Sequence, residues 1–206
     1  MYFSDIFEID NEVLSEYGAF NISLINDLPL FIDPFLLFNS ESETYKSLHS
    51  EIIKYLVFLR DNVTGRNISN GMLDAWFRFP EVKQAWLGFS LVGNSGRGLG
   101  RDFAVALSSS LRDIFSQFGN EQITQGTHLE KLCLIKEGVG KDCISDFVAN
   151  LIKGYLAEYT QKFAADNIDA RHCRKCSIDK AVFNYTTKAW EARQYVLPFF
   201  SATMYC

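Results

Sequence analysis

Between His128 and Asp146 the chain collects side chains of the types that phosphodiester cleavage needs: His128, Glu130, Lys136, Lys141, Asp142 and Asp146. Cleavage with Mg²⁺ takes two or three carboxylates on the metal and a lysine near the attacking water or the phosphate. Asp142 and Asp146 lie four residues apart. On a helix that spacing puts them on one face, and on a strand their even separation does the same. The expected roles are Asp142 and Asp146 as Mg²⁺ ligands, Glu130 assisting, and Lys141 contacting the phosphate or positioning water. A structural role suits the same residues. Acids in a first helical turn complement the macrodipole, and Ser145 or Asp146 can act as an N-cap. Nucleases built on an Asp followed by Glu-x-Lys place the second motif on the next strand. No Glu-x-Lys stands in the expected place, which argues against a nuclease, and Glu191-x-Arg193 is only a weak substitute.

A glycine-rich loop, Gly93 to Gly100, is the second candidate. Its glycines let backbone N–H groups approach an anion at the start of a following helix. Gly96, Arg97, Gly98, Gly100 and Arg101 are the expected phosphate contacts. No Gly-Lys-Ser/Thr follows, so this is not a Walker loop, and no strand with an acidic partner frames it as a dinucleotide fingerprint. A tight connector is the structural alternative. Arg171-His-Cys-Arg-Lys-Cys176 joins a Cys-x-x-Cys to a histidine. A structural zinc needs four ligands, and a second pair at matching spacing is absent, so zinc is not expected. A basic, exposed loop suits the segment better, and such a loop could touch phosphates. Asp33, set among apolar neighbours, is expected to pair with Arg60 or Lys54 or to cap the turn at Phe35, with orienting a partner as the functional alternative.

The composition limits what these residues can belong to. With 206 residues, 48% hydrophobic and 22% charged, the chain is globular rather than disordered. Eighteen phenylalanines promise a sizeable core. The formal net charge of −5 provides no global basic field for nucleic acid. A local basic groove or a basic partner would have to supply one. The five cysteines are odd in number and absent before Cys133, which suits a reducing compartment. No run reaches the roughly 18 apolar residues of a spanning helix, and the N-terminus lacks a basic leader region. The expectation is a cytoplasmic protein with no membrane partner.

The elements that must position the candidates follow from periodicity. Ala19–Ile25 alternates, and Leu30–Phe38 is an apolar run, so the two are expected to form a hairpin. A helix is predicted from Ser42 to about Asn62, and a short one capped by Ser69 or Asn70 runs through Phe77. Further helical turns are expected at 81–86 and 103–118. Leu129–Ile135 is ambiguous. Ile144–Phe163 has the clearest helical stripe, from Phe147 through Leu151, Ile152, Tyr155, Leu156 and Tyr159 to Phe163. Ile178–Tyr185 and Gln194–Phe200 read as strands around Thr186-Thr-Lys. The order predicts a single α+β domain over 1–206, a small mixed sheet with several packing helices.

Three phrases also carry a resemblance: Asn21 to Leu37, Gly138 to Phe147 with Tyr159-Thr160 downstream, and Phe183-Asn-Tyr with Trp190 and Tyr195 to Pro198. Together they resemble the N-terminal part of a larger, uncharacterised bacterial family associated with phage-defence loci. The resemblance implies a bacterial source and nucleic-acid-directed work, and it assigns no catalytic residue. It also implies a chain that continues past Pro198, so that a partner would complete the fold and hold the Glu-x-Lys element. Two functions follow as expectations. One is a Mg²⁺-dependent nuclease or nuclease-like component of a defence system. The other is a non-catalytic subunit that docks on a larger ATPase or effector.

Overall fold

The computed structural model describes residues 1–25, 30–63, 68–79, 104–105, 107–108 and 141–199, with the side chains of Val63 and of residues 141–143 excepted. The described elements are α1 (Phe3–Phe7), α2 (Asn11–Tyr17), α3 (Pro34–Phe38), α4 (Glu43–Val63), α5 (Asn70–Trp76) and α6 (Lys141–Asn167). A 3-10 turn (Ala170–His172) then leads into strands β1 (Cys173–Asn184) and β2 (Ala189–Pro198). The class is α+β, as expected, with an antiparallel hairpin as its described sheet. Backbone contacts divide the chain into two compact units.

One unit comprises Met1–Pro29, Lys83–Ser95 and Lys153–Cys206. Helix α2 stops at Gly18, whose φ of 80° lets its N–H reach the Leu14 and Ser15 carbonyls. Asn21 ties the two short N-terminal helices: its Nδ2 donates to Ser4 Oγ at 2.8 Å and to Asn11 Oδ1 at 2.7 Å. Phe7, Ile9, Leu14 and Leu24 then bury against Phe163, Ala164 and Ile168 of α6 and its C-terminal flank. A second cluster forms where β1 and β2 lay Ile178, Ala181 and Leu197 on Ala157 of α6.

The other unit comprises Leu30–Val82 and Gly96–Ile152. Helix α4 buries His49, Ile52, Tyr55, Leu56 and Leu59, a stripe at three- and four-residue spacing. Rings connect its elements. Trp76 of α5 meets Phe58 at 5.1 Å, Tyr55 meets Phe79 at 6.3 Å, and Phe79 meets Phe147 of α6 at 5.3 Å. The Tyr55 hydroxyl, inside this core, donates to the Trp76 carbonyl at 2.7 Å. Ser69 caps α5 as predicted, accepting from Met72 N–H.

The expected N-terminal hairpin is not formed. Pro34–Phe38 is helical because Asp33 accepts the Phe35 N–H at 2.9 Å and Pro34 takes the first helical position. Of the alternatives for Asp33, the cap is the one adopted. Ala19–Ile25 contributes only an isolated bridge, Tyr2 to Ser23. The helix expected at Ile144–Phe163 extends further at both ends, and the C-terminal strands are longer than their apolar cores suggested. Cys173–Cys176, expected in a loop, begins β1. The helical turns expected at 81–86 and most of 103–118, and the ambiguous 129–135 segment, lie outside the described residues.

Candidate functional site

Helix α6 settles one question at the first candidate. Its backbone is helical from Lys141, so residues 142 and 146 stand one turn apart on a shared face. Asp146 is half-buried, between the buried Ser145 and Phe147. Ser145 is held from the other side, its Oγ accepting the Ile32 N–H at 2.8 Å. The fully buried Asn150 donates to the Asp146 carbonyl at 2.9 Å. The side chains of Lys141 and Asp142 lie outside the described residues, as do Glu130, Gly96, Arg97, Gly98, Gly100 and Arg101. Among the described residues, no group of three or more His, Cys, Asp or Glu is placed to hold a metal ion.

Glu191 and Arg193, the counterpart of Glu-x-Lys, pair with each other at 2.8 Å. Glu191 also accepts from Asn184 Nδ2 at 2.7 Å. Asn184 Oδ1 in turn accepts the Thr186 and Thr187 N–H groups, so these polar atoms close the hairpin turn. Cys173 and Cys176 are three apart on a strand and therefore leave opposite faces. Cys173 packs with the Phe7 cluster and Cys176 with the Ala157 cluster. Burial, reinforced by Asp169, pushes the Cys173 thiol above its ordinary value, which disfavours the thiolate a metal or an oxidant requires.

The structure draws attention to two neighbours that sequence reading passed over, Lys153 and Gly154. Gly154 is where α6 meets the hairpin: a Cβ built on it would lie 2.6 Å from the Ala181 carbonyl oxygen. Ala181 sits in the bulge between Ile178 and Val182, where Lys180 adopts a φ of 53°. Lys153 is buried beside this contact and its pKa is lowered to about 8. Burial is the main cause, repulsion from Lys180 adds to it, and Asp179 opposes it. A Lys-Gly pair inside an apolar helical stripe was the available signal, since an interior helical glycine often marks close backbone approach.

The hairpin carries the largest net charge of the described elements. Five cations, Arg174, Lys175, Lys180, Lys188 and Arg193, stand against Asp179 and Glu191 in it, and Arg171 in the turn before β1 pairs with Asp169 at 3.2 Å. Arg174 lies over the Phe199 ring, 3.8 Å from its centroid. At the turn, Phe183 meets Tyr185 at 5.0 Å and Trp190 at 5.2 Å, both edge to face.

Residues 8–205 match a family described as a domain of unknown function, DUF8370, and the chain belongs to that family. No curated protein and no solved structure matches it. Among the described residues, no helix is long and apolar enough to cross a membrane.

Proposed function

We propose that the protein is a non-catalytic interaction subunit that docks on a larger protein, an ATPase or effector of a bacterial defence system. The supporting observation is the segment around α3. Leu30, Phe31, Phe35 and Leu36 are exposed, Leu36 at 67%. Burying a side chain of this size fully yields about 1.5–3 kcal/mol, and folding leaves a part of that gain, the larger part at Leu36, unrealised at four nearby positions. A run of large apolar side chains in water is characteristic of a surface that another protein covers. The test is affinity purification of the tagged chain from its source organism beside a Phe35→Ser/Leu36→Asp double variant. A stoichiometric partner recovered by the native chain and lost by a normally folded variant supports docking. A partner retained by the variant, or a native chain that purifies alone, refutes it.

A Mg²⁺-dependent nuclease is the second function, and it draws on the helical start of α6. In it Asp142 and Asp146 hold the ion, Glu130 assists, Lys141 meets the phosphate, and the 96–101 loop follows the backbone. Labelled DNA and RNA incubated with Mg²⁺ or Mn²⁺, with EDTA, and with Asp146→Asn separate the two functions. Metal-dependent cleavage lost in the variant would favour the nuclease. A folded protein that leaves both substrates intact excludes it.

A further inference from the structure

The hairpin and the turn before it carry a net positive charge. Between Cys173 and Pro198 cations exceed acids by three, in a protein whose formal net charge is −5. The remaining residues therefore carry all of the negative balance. Arg171 pairs with Asp169 and Arg193 with Glu191, and Arg174 shares the inner face with Leu197. The cations that bear on the outer face are therefore Lys175 on β1 and Lys188 in the turn. Local positive charge on an acidic chain suits an anionic partner.

The register specifies what accompanies the charge. Cys176 and Ile178 pair with Tyr195 and Arg193 on the face that covers Ala157. Lys175 and Ser177 pair with Val196 and Gln194 on the opposite face. Trp190, Gln194 and Val196 are separated by even numbers of residues and share that face of β2. Phe183 pairs with Trp190 there. The outer face thus runs from Lys175 at one end to the Phe183–Trp190 aromatic pair at the other, about 20 Å of strand. Lys175, Ser177, Ala192, Gln194 and Val196 are exposed along it, and Lys188 is exposed in the adjoining turn.

We propose that the outer face of the β1–β2 hairpin binds single-stranded nucleic acid, with Lys175 and Lys188 on phosphates and Trp190 stacking on a base. A single strand presents phosphates and free base faces together, which is what a lysine at each end of the face and an aromatic beside one of them recognise. An acidic protein would use the cations and leave Trp190 idle. A duplex would hide its base faces. The hairpin and the apolar α3 segment belong to different units, so this proposal stands or falls independently of the docking function.

The experiment is fluorescence anisotropy of labelled 20-nucleotide DNA and RNA single strands, and of a blunt DNA duplex, with the full chain in 50 mM salt. Expected are binding of a single strand, weaker binding of the duplex, and a decline in affinity as salt rises. Lys175→Glu/Lys188→Glu should weaken binding at least tenfold. Trp190→Ala should weaken it about five- to hundredfold, the range of one lost stacking contact. Circular dichroism checks the folding of each variant. If Trp190→Ala unfolds the hairpin, Trp190→Phe replaces it and should retain binding within a few fold. No binding of either single strand, duplex binding as tight as single-strand binding, or unaltered affinity in the folded charge-reversal variant would overturn the proposal.

Discussion

Tyr17 and Tyr159 exchange hydrogen bonds. The Tyr17 hydroxyl donates to the Tyr159 carbonyl at 3.0 Å, and the Tyr159 hydroxyl donates to the Tyr17 carbonyl at 2.8 Å. Their rings lie 4.7 Å apart. The end of α2 and the middle of α6, 142 residues apart in sequence, are thereby fastened by two bonds, one satisfying the Tyr17 carbonyl at the end of α2 and one adding a second donor to a helical carbonyl. Burial, with Asp166 adding to it, raises the Tyr17 pKa and keeps its hydroxyl a donor.

Tyr17→Phe and Tyr159→Phe should each cost about 1 kcal/mol, the net value of such a bond when its acceptor stays behind. Because the rings touch, the double variant should depart from additivity by about 0.5 kcal/mol or more. Urea unfolding of the four proteins measures both quantities. A strictly additive cycle would mean that the two bonds act separately.

Gly154→Ala should destabilise the protein by about 1–3 kcal/mol, the cost of overpacking. Helix propensity alone predicts the opposite sign, since alanine is favoured over glycine by about 1 kcal/mol in a helix interior. The decisive distance is the 2.6 Å from the new Cβ to the Ala181 oxygen, a backbone atom that cannot rotate away. A variant with a higher midpoint than the native chain would show that the hairpin yields easily at its bulge.

Lys153 makes stability depend on alkaline pH. Its folded pKa of about 8 lies below the ordinary 10.5, so the unfolded chain binds more protons between those values. Stability from this group therefore rises as pH increases from about 8 to 10.5, and below pH 8 the cost of the buried charge is felt in full. Lys153→Met removes this dependence. The variant's stability relative to the native chain should fall by up to about 3 kcal/mol across that window. Parallel chemical denaturation at pH 7.5 and 10 provides the comparison, and an unchanged difference would place the charge in water.

His49 acts at the acidic end. It is buried against Phe38, the rings 5.2 Å apart, and burial lowers its pKa from the ordinary 6.5. A depressed pKa gives stability that is present above 6.5 and lost as pH falls toward the folded value. The denaturation midpoint should drop between pH 7 and 5, and His49→Gln should show a smaller drop. Equal drops in the two proteins would assign the effect to other groups.

Much of the helical framework was legible in the sequence. The stripes of α4 and α6 repeat at helical spacing, and Ser69 announces the cap of α5, because local hydrogen bonds and one-sided burial leave their pattern in neighbouring residues. The C-terminal strands alternate in the same way. The N-terminal segment was misread because apolar runs do not distinguish strand from helix. There the Asp33–Pro34 cap outweighed the β-like composition. Of the candidate acids, sequence spacing alone put residues 142 and 146 on one face, and α6 realises that spacing through its backbone.

Only the tertiary structure placed Lys153 beneath a strand bulge, brought Ala181 against Gly154, and joined Tyr17 to Tyr159. It also set Lys175 and Trp190 along one face of the hairpin through the register of β1 and β2. None of these relationships follows from residues near in sequence. Each depends on which segments meet, and that is decided by the burial of the whole chain against its conformational entropy rather than by any local preference.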